Sequence, residues 1–208
     1  MFEFIAVTNR RLCEGDFWTR LGAVAASGVS AVILREKNLP SAEYEKMFSR
    51  ALGICEDWGV PLFSHGFADA AVLRAAAGIH LPFSAVAALS EDCDTSAFKY
   101  MPRGARTGVS VHSALEARRA VALGASYLVA GHIFKTESKA GLAPRGMDFL
   151  SEICALAPIP VYAIGGVSER NIADVRRAGA AGACLMSSLM ICADPAAYIS
   201  CLRSNSEI

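Results

Sequence analysis

Eight short apolar runs, separated by longer segments of helical periodicity, limit the fold of this 208-residue chain more than any other feature. The runs lie at residues 4–7, 31–34, 61–63, 78–81, 107–110, 127–130, 160–164 and 182–186. The candidate helices lie at 17–27, 41–57, 68–76, 114–123, 147–156, 169–178 and 195–203, and several follow a Ser or Asp suited to capping. Eight strands that alternate with helices favour a parallel barrel over an open doubly wound sheet. We therefore predict an α/β fold, a single (β/α)8 TIM barrel with parallel strands, as one domain over residues 1–208.

Glycine recurs where candidate helices give way to strands. Gly28, Gly78, Gly124 and the pair Gly179 and Gly182 all occupy such junctions. A glycine there would close the helix and turn the chain back into the barrel. Only segment 83–105, between the fourth and fifth runs, has no clear pattern.

Composition narrows the range of partners. The net charge is zero and 53% of the residues are hydrophobic, which argues against nucleic acid or an anionic membrane as the main partner. Neither a signal peptide nor a long apolar segment is evident, so we expect a cytoplasmic protein with a small-molecule substrate. The seven cysteines form no Cys-x-x-Cys pair and the four histidines no close ligand pair, so no metal site is predicted. Homo-oligomerisation is left open.

The C-terminal ends of the strands should form the active site of such a barrel. His132 ends the sixth apolar run, and a histidine there is placed for proton transfer near neutral pH. His80 and His112 are expected more often to be hydrogen-bonded barrel residues than direct catalysts. The candidates for lining the pocket are Thr8, His65, Ser110, His112 and Thr136.

Anion-binding groups follow three of the strands. Phosphate is commonly bound after the last two strands of these barrels, and the candidates there are Gly165, Gly166, Ser187 and Ser188. Arg35 and Lys37 would suit a carboxylate or a second phosphate, and Lys139 lies in a loop that could close over an anionic ligand. Two alternatives remain: the Gly165-Gly166 pair is only a tight turn, and the basic residues are solvated or paired with Glu36.

Several motifs together resemble the thiamine phosphate synthase superfamily over nearly the whole chain. They are Val7-Thr8, Leu34-Arg-Glu-Lys37, Gly108-Val-Ser-Val-His112, Gly131-His-Ile-Phe-Lys-Thr136 with Lys139, Ala163-Ile-Gly-Gly166 and Met186-Ser187. The superfamily has two branches. Synthases join a pyrimidine pyrophosphate to a thiazole phosphate, and thiazole tautomerases of the TenI branch isomerise a thiazole phosphate carboxylate.

Departures from the synthase pattern favour the tautomerase branch. The synthase Asn-Asp-Arg, whose Asp binds Mg²⁺, is replaced by His65, Gly66 and Phe67. A synthase has a second magnesium-binding aspartate a few residues after the fourth strand, and Ser84 and Ala85 stand near that position here. Ile33 stands where a synthase has glutamine, and His132 where its loop after strand 6 has proline. The stretch from Gly131 to Gly146 resembles the tautomerase loop, in which this histidine is catalytic.

The resemblance implies a specific reaction. The 2-carboxy-4-methylthiazol-5(2H)-ylidene ethyl phosphate would become the aromatic 2-(2-carboxy-4-methylthiazol-5-yl)ethyl phosphate by proton transfer at His132, without a metal or cofactor. Arg35 and Lys37 would neutralise the carboxylate, and Gly166 and Ser187 would anchor the phosphate. Alternatives are a thiamine phosphate synthase and a noncatalytic regulator that binds a thiazole phosphate. Whether His132 makes both proton transfers or shares them with His65 is open.

Overall fold

Eight parallel strands close into a barrel in the computed structural model, which describes residues 1–66, 70–91 and 104–207. Each strand pairs with the next, and the eighth pairs with the first. The strands are β1 (Glu3–Val7), β2 (Ala31–Leu34), β3 (Leu62–His65), β4 (Gly78–Pro82), β5 (Arg106–Val111), β6 (Tyr127–Gly131), β7 (Val161–Ile164) and β8 (Gly182–Leu185). The predicted (β/α)8 barrel is confirmed.

Helices lie between the strands and after the last one. They are α1 (Phe17–Ala26), α2 (Ser41–Glu56), α3 (Ala70–Ala75), α4 (Phe83–Glu91), α5 (Ala114–Ala122), α6 (Gly146–Leu156), α7 (Ile172–Arg177), α8 (Ser187–Ile191) and α9 (Pro195–Ser206). The expected caps are present, because the side chains of Asp16, Ser113 and Asp194 accept backbone N–H groups in the first turns of α1, α5 and α9. Within the described ranges, no helix has both the length and the apolar character needed to span a membrane.

Some boundaries differ from the sequence prediction. Strand β3 extends to His65, so this residue belongs to the strand rather than to the loop after it. Helix α4 begins inside the segment that had no clear pattern, and the rest of that segment up to residue 103 lies outside the described residues, as does the start of the predicted helix 68–76. The short helix α8 and two 3-10 helices, Arg10–Leu12 and Glu137–Lys139, were not predicted, because elements of three to five residues have little periodicity.

Three of the junction glycines have the conformation that closes a helix. Gly28, Gly124 and Gly179 have φ angles of 85°, 90° and 91°, in the left-handed region that glycine adopts without strain. Gly78 and Gly182 do not, because they are the first residues of β4 and β8. A Cβ at Gly78 would overlap the backbone carbonyl of Arg106 and lie 3.1 Å from the ring of Phe63, so this glycine makes room for the neighbouring strand and for a side chain.

Side chains alternate between the inside of the barrel and the surrounding helices. On β1, Ile5 and Val7 belong to an inner cluster, whereas Phe4 and Ala6 belong to the larger core that contains the buried helix residues. The buried members of the inner cluster all lie on strands: Ile5, Val7, Ala31, Ile33, Phe63, Tyr127, Val129, Tyr162 and Cys184. The period of two along each strand therefore decides which residues face the barrel axis.

Aromatic rings from β6 and β7 fill the barrel where neighbouring strands have glycine. The ring of Tyr127 occupies the space of the missing side chain at Gly108, so that a Cβ on this glycine would overlap it. A Cβ at Gly182 would lie 2.9 Å from Cδ1 of Tyr162. Tyr127 and Tyr162 pack edge to face with ring centroids 5.6 Å apart. The interior of the barrel toward the N-terminal ends of the strands is thus a packed core.

Cysteines in the described part of the chain are free thiols, as their spacing predicted. Cys55 and Cys184 are buried, whereas Cys201 is exposed. Cys93 lies outside the described residues.

Gly108→Ala should lower the free energy of unfolding by about 1–3 kcal/mol, because the added methyl group would force the Tyr127 ring from its place. Gly53→Ala is the matched control. Gly53 lies exposed in α2, and a methyl group added there would have no other atom within 4 Å, so its substitution should be neutral or stabilise by up to about 1 kcal/mol. Urea denaturation measures both variants, and equal stabilities would contradict the packing argument.

Candidate active site

A cavity of about 260 Å³ lies at the C-terminal end of the barrel. All eight strands, or the residues that directly follow them, contribute to its lining. The lining consists of Val7, Arg35, Lys37, His65, Pro82, Ser110, His112, Gly131, His132, Thr136, Ser138, Lys139, Ile164, Gly165, Gly166, Val167, Cys184, Leu185, Met186, Ser187 and Ser188. The strand ends identified from the sequence therefore line one cavity, and the roles assigned to its residues stay predictions.

Every candidate residue named from the sequence lies in this lining except Thr8. Thr8 is fully buried, and Val7 lines the cavity instead because neighbouring residues of a strand face opposite sides. The Thr8 hydroxyl accepts the backbone N–H of Arg35 at 3.0 Å and donates to Oε1 of Glu36 at 3.0 Å. Thr8 thus positions the end of β2 behind the cavity.

Three cationic side chains, Arg35, Lys37 and Lys139, line one part of the cavity. Burial lowers the pKa of Arg35, and burial together with the nearby charges of Arg35 and Lys139 lowers the pKa of Lys37. Among the residues that the structure describes, no aspartate or glutamate lines the cavity. A bound anion would therefore relieve both the desolvation and the mutual repulsion of these groups.

Glu36 does not form an ion pair with its cationic neighbours. Its Oε1 accepts the backbone N–H of Arg10 at 2.9 Å, and its Oε2 lies 3.3 Å from Nη1 of Arg10. Since Glu36 is held by Arg10 and Thr8, the alternative in which it pairs with Arg35 or Lys37 does not describe this structure. Both cations remain turned toward the cavity.

His132 follows β6, and hydrogen bonds hold the backbone around it. The next residue, Ile133, donates its N–H to the Ile164 carbonyl at 2.9 Å, and the His132 carbonyl accepts the N–H of Arg145 at 2.9 Å. Its ring makes one long contact, 3.4 Å from Nε2 to the Leu142 carbonyl. The imidazole is thus placed on a hydrogen-bonded backbone at the cavity.

The Gly165-Gly166 pair brings β7 and the loop after β6 together. Gly165 has a φ of 96°, and a Cβ there would overlap His132. Gly166 has a φ of 68°, and a Cβ there would lie 2.8 Å from Cβ of Phe134. The pair is therefore a tight turn that also forms part of the cavity, and the two interpretations of the sequence are compatible.

His112 braces the backbone next to His132. Its Nδ1 lies 2.6 Å from the carbonyl oxygen of Gly131. A carbonyl only accepts hydrogen bonds, so Nδ1 must bear the proton. The backbone N–H of His112 is in turn bound by Glu116 at 2.6 Å, which fixes the start of α5.

His65 and His80 are directly paired in the register of β3 and β4, with ring centroids 5.8 Å apart. Burial, followed by the charges of Arg35 and Lys37, lowers the pKa of His65 to about 4. Burial, followed by the proximity of His65 and Arg35, lowers the pKa of His80 to about 3. Both rings are therefore neutral at physiological pH.

Several residues of the site were not identified from the sequence. Cys184 was interpreted as core, and it is buried, but its position on the inward face of β8 also makes it part of the cavity floor. Met186 contacts Arg35 through sulfur, 3.9 Å from Nη1. The inward parity of β8 could have revealed Cys184, whereas no sequence signal points to the Met186 contact.

The two neutral histidines should make stability depend on pH. In the unfolded chain their pKa values return to about 6.5, so between pH 6.5 and 5 only the unfolded state takes up these protons. The free energy of unfolding should therefore fall with decreasing pH by up to about 1.4 kcal/mol per unit for each ring. Urea midpoints across this range test the slope, which His65→Asn should make shallower; an unchanged slope in the variant would be evidence against a neutral His65.

The fold and the cavity together define a class of protein. A barrel of this type with a cationic cavity at its strand ends is suited to bind a small phosphorylated molecule. Comparisons with known proteins agree. The family model for thiamine monophosphate synthase matches residues 4–189, so the chain belongs to this family of thiamine biosynthesis.

Individual relatives have synthase names. A putative thiamine-phosphate synthase of Geobacter sulfurreducens is 32% identical over 93% of this chain and 89% of its own length. A thiamine-phosphate synthase of Methanoculleus marisnigri is 34% identical over 91% and 88%. Among solved structures, the thiamine phosphate pyrophosphorylase from Pyrococcus furiosus superposes with a TM-score of 0.80 at 26% identity, over 99% of this chain and 96% of that one. These names favour a synthase over a tautomerase.

Proposed function

We propose that this protein is a thiazole tautomerase that converts 2-carboxy-4-methylthiazol-5(2H)-ylidene ethyl phosphate into its aromatic isomer. The observation that supports this best is the position of His132 in a cavity whose lining, over residues 1–66, 70–91 and 104–207, contains three cations and no carboxylate. An isomerisation by proton transfer needs an acid/base group, which an imidazole supplies. It needs no group that binds a divalent metal ion.

His132 is the proposed proton carrier. It removes the proton at C2 of the thiazole, the bonding electrons move into the ring, and the exocyclic carbon gains a proton, so that atoms and charge balance. In the neutral ring, the contact of Nε2 with the Leu142 carbonyl leaves the lone pair on Nδ1 for this step. His65 lines the same cavity and is the alternative group for the second transfer, but its lowered pKa leaves its ring without an imidazolium proton to donate near neutral pH, so His132 is the preferred donor.

The cations and the strand 7 and 8 ends would hold the two anionic groups of the substrate. Arg35, Lys37 and Lys139 are assigned to the carboxylate and to the negative charge that develops beside it. Gly165, Gly166, Ser187 and Ser188 are assigned to the phosphate. These assignments follow from position in the cavity and from the chemistry of the donors.

His132→Asn should lower the turnover of the tautomerisation by about 10²–10⁴-fold, because it removes the acid/base group and leaves the anion-binding groups in place. Proton exchange at the exocyclic carbon, followed by NMR in deuterated buffer, measures the rate. Calorimetric titration with the aromatic carboxythiazole phosphate is the control and should give an affinity close to that of the wild type. Unimpaired turnover in the variant would remove His132 from the mechanism.

The second candidate is a thiamine phosphate synthase, and the names of the relatives support it directly. The cationic cavity would suit its two phosphorylated substrates equally well. Departure of pyrophosphate calls for Mg²⁺, which prefers carboxylate and other oxygen ligands. The described lining has no carboxylate, and the described residues hold no cluster of three His, Cys, Asp or Glu side chains, so they do not fit this ion.

A coupling assay separates the two candidates. With the pyrimidine pyrophosphate, the thiazole phosphate and Mg²⁺ supplied together, we expect no thiamine phosphate, because the described residues of the cavity include no carboxylate ligand for the metal. A metal-dependent yield of thiamine phosphate would overturn the tautomerase proposal in favour of the synthase. Tight binding of the carboxythiazole phosphate with neither reaction would instead indicate a noncatalytic regulator.

A further inference from the structure

A buried histidine connects the cavity to the interior of the barrel. His80 is 4% exposed and lies on the inward face of β4. Its Nε2 is 2.7 Å from Oγ of Ser110, which lines the cavity, and its Nδ1 is 3.2 Å from the hydroxyl of Tyr127. The row Tyr127, His80 and Ser110 is independent of the cations and of His132.

The proton count of this row has one consistent solution. Tyr127 is fully buried, and its hydroxyl has no hydrogen-bond partner other than His80 in the part of the chain that the structure describes. If Nδ1 donated to Tyr127, the phenolic proton would have no acceptor, which costs free energy in a buried site. Tyr127 therefore donates to Nδ1, and the proton of the neutral ring lies on Nε2.

The direction of the last hydrogen bond follows. Nε2–H of His80 donates to Oγ of Ser110, so the Ser110 hydroxyl has its own proton free. Because Ser110 lines the cavity, this proton can be donated to a ligand there. In the opposite arrangement Ser110 would donate inward and offer only lone pairs to the cavity.

We propose that His80 and Tyr127 are positioning residues that orient the Ser110 hydroxyl as a hydrogen-bond donor into the cavity. The Ser110 hydroxyl on β5 then donates a hydrogen bond to an acceptor atom of the bound anion. It is an uncharged donor, unlike the cationic groups that follow β2. The catalytic contribution of Ser110 rests on the proposed function. The positions of the protons on Tyr127, His80 and Ser110 do not depend on it.

Two further features agree with this arrangement. Burial lowers the pKa of His80, so the ring remains neutral and has one proton to place. The Tyr127 ring is held at the height of His80 by the space at Gly108 and by edge-to-face packing on Tyr162, with His80 and Tyr127 ring centroids 5.7 Å apart. The donor is therefore fixed by the packing of the barrel and not by a mobile side chain.

The tautomer is tested without any substrate. In ¹⁵N-labelled wild-type protein near neutral pH, long-range ¹H–¹⁵N spectra assigned through the His80 ring carbons should show Nε2 protonated and Nδ1 unprotonated. In Tyr127→Phe the Nδ1 resonance should move toward that of an unbonded lone pair. A protonated Nδ1 in the wild type would overturn the proposal whatever reaction the protein catalyses.

A double-mutant cycle tests the positioning role. Ser110→Ala should lower kcat/KM about 10–100-fold and Tyr127→Phe about 3–10-fold, while the double variant should match Ser110→Ala within about twofold. If the loss of kcat/KM in the double variant equals the product of the two single losses, Tyr127 does not act through Ser110. Tyr162→Phe is the matched control, because its hydroxyl bonds Glu3 and Arg106 away from the cavity, and its kcat/KM should stay within about twofold of the wild type. Absence of turnover in the wild type would refute the proposed function, and the tautomer would still be decided by NMR.

Discussion

The packing of aromatic rings against glycine inside the barrel is the constraint on which the rest of the structure depends. Phe63, Tyr127 and Tyr162 fill the interior because β4, β5 and β8 have glycine at the facing positions. This packing fills the interior of the barrel toward the N-terminal ends of the strands, so that the cavity lies at the C-terminal ends. It also buries a phenolic hydroxyl, which His80 must satisfy, so the packing of the core sets the hydrogen-bonding geometry at the site.

Unfavourable electrostatic interactions are concentrated at the C-terminal end of the barrel, where the cavity lies. Burial lowers the pKa of Arg35, and the nearby charge of Glu36 opposes this only in part. The pKa of Lys37 is lowered by burial and by the positive charges of Arg35 and Lys139. Glu36 makes no direct ion pair with either cation, because its carboxylate is bound by Thr8 and Arg10. The folded protein thus accepts an unfavourable charge arrangement that an anionic ligand would make favourable, as is common at functional sites.

The sequence predicts the parts of this site that depend on periodicity. Eight apolar runs are enough for the barrel, and the ends of the runs locate His132 and the cations. The details depend on parity and on long-range contacts: Thr8 faces away where Val7 faces inward, and Glu36 finds its partner 26 residues earlier at Arg10. A run of four or five apolar residues does not reveal which of them faces the axis until strand register is known.

The protonation states of the surrounding side chains limit which of them can act as the acid or base in the cavity. The Cys184 thiol has a pKa raised by burial, so it remains protonated, and the pKa of His65 is lowered, so this ring is a weak base. His112 has its Nδ1 proton bound to the Gly131 carbonyl. The His132 ring makes a long contact with the Leu142 carbonyl through Nε2, which leaves a lone pair on Nδ1 of the neutral ring. Synthase and tautomerase would use the same kind of anion-binding groups, so the relatives' names and the cavity agree on the kind of ligand. In the described part of the lining, an imidazole is present and carboxylates are absent, which favours proton transfer as the reaction performed on that ligand.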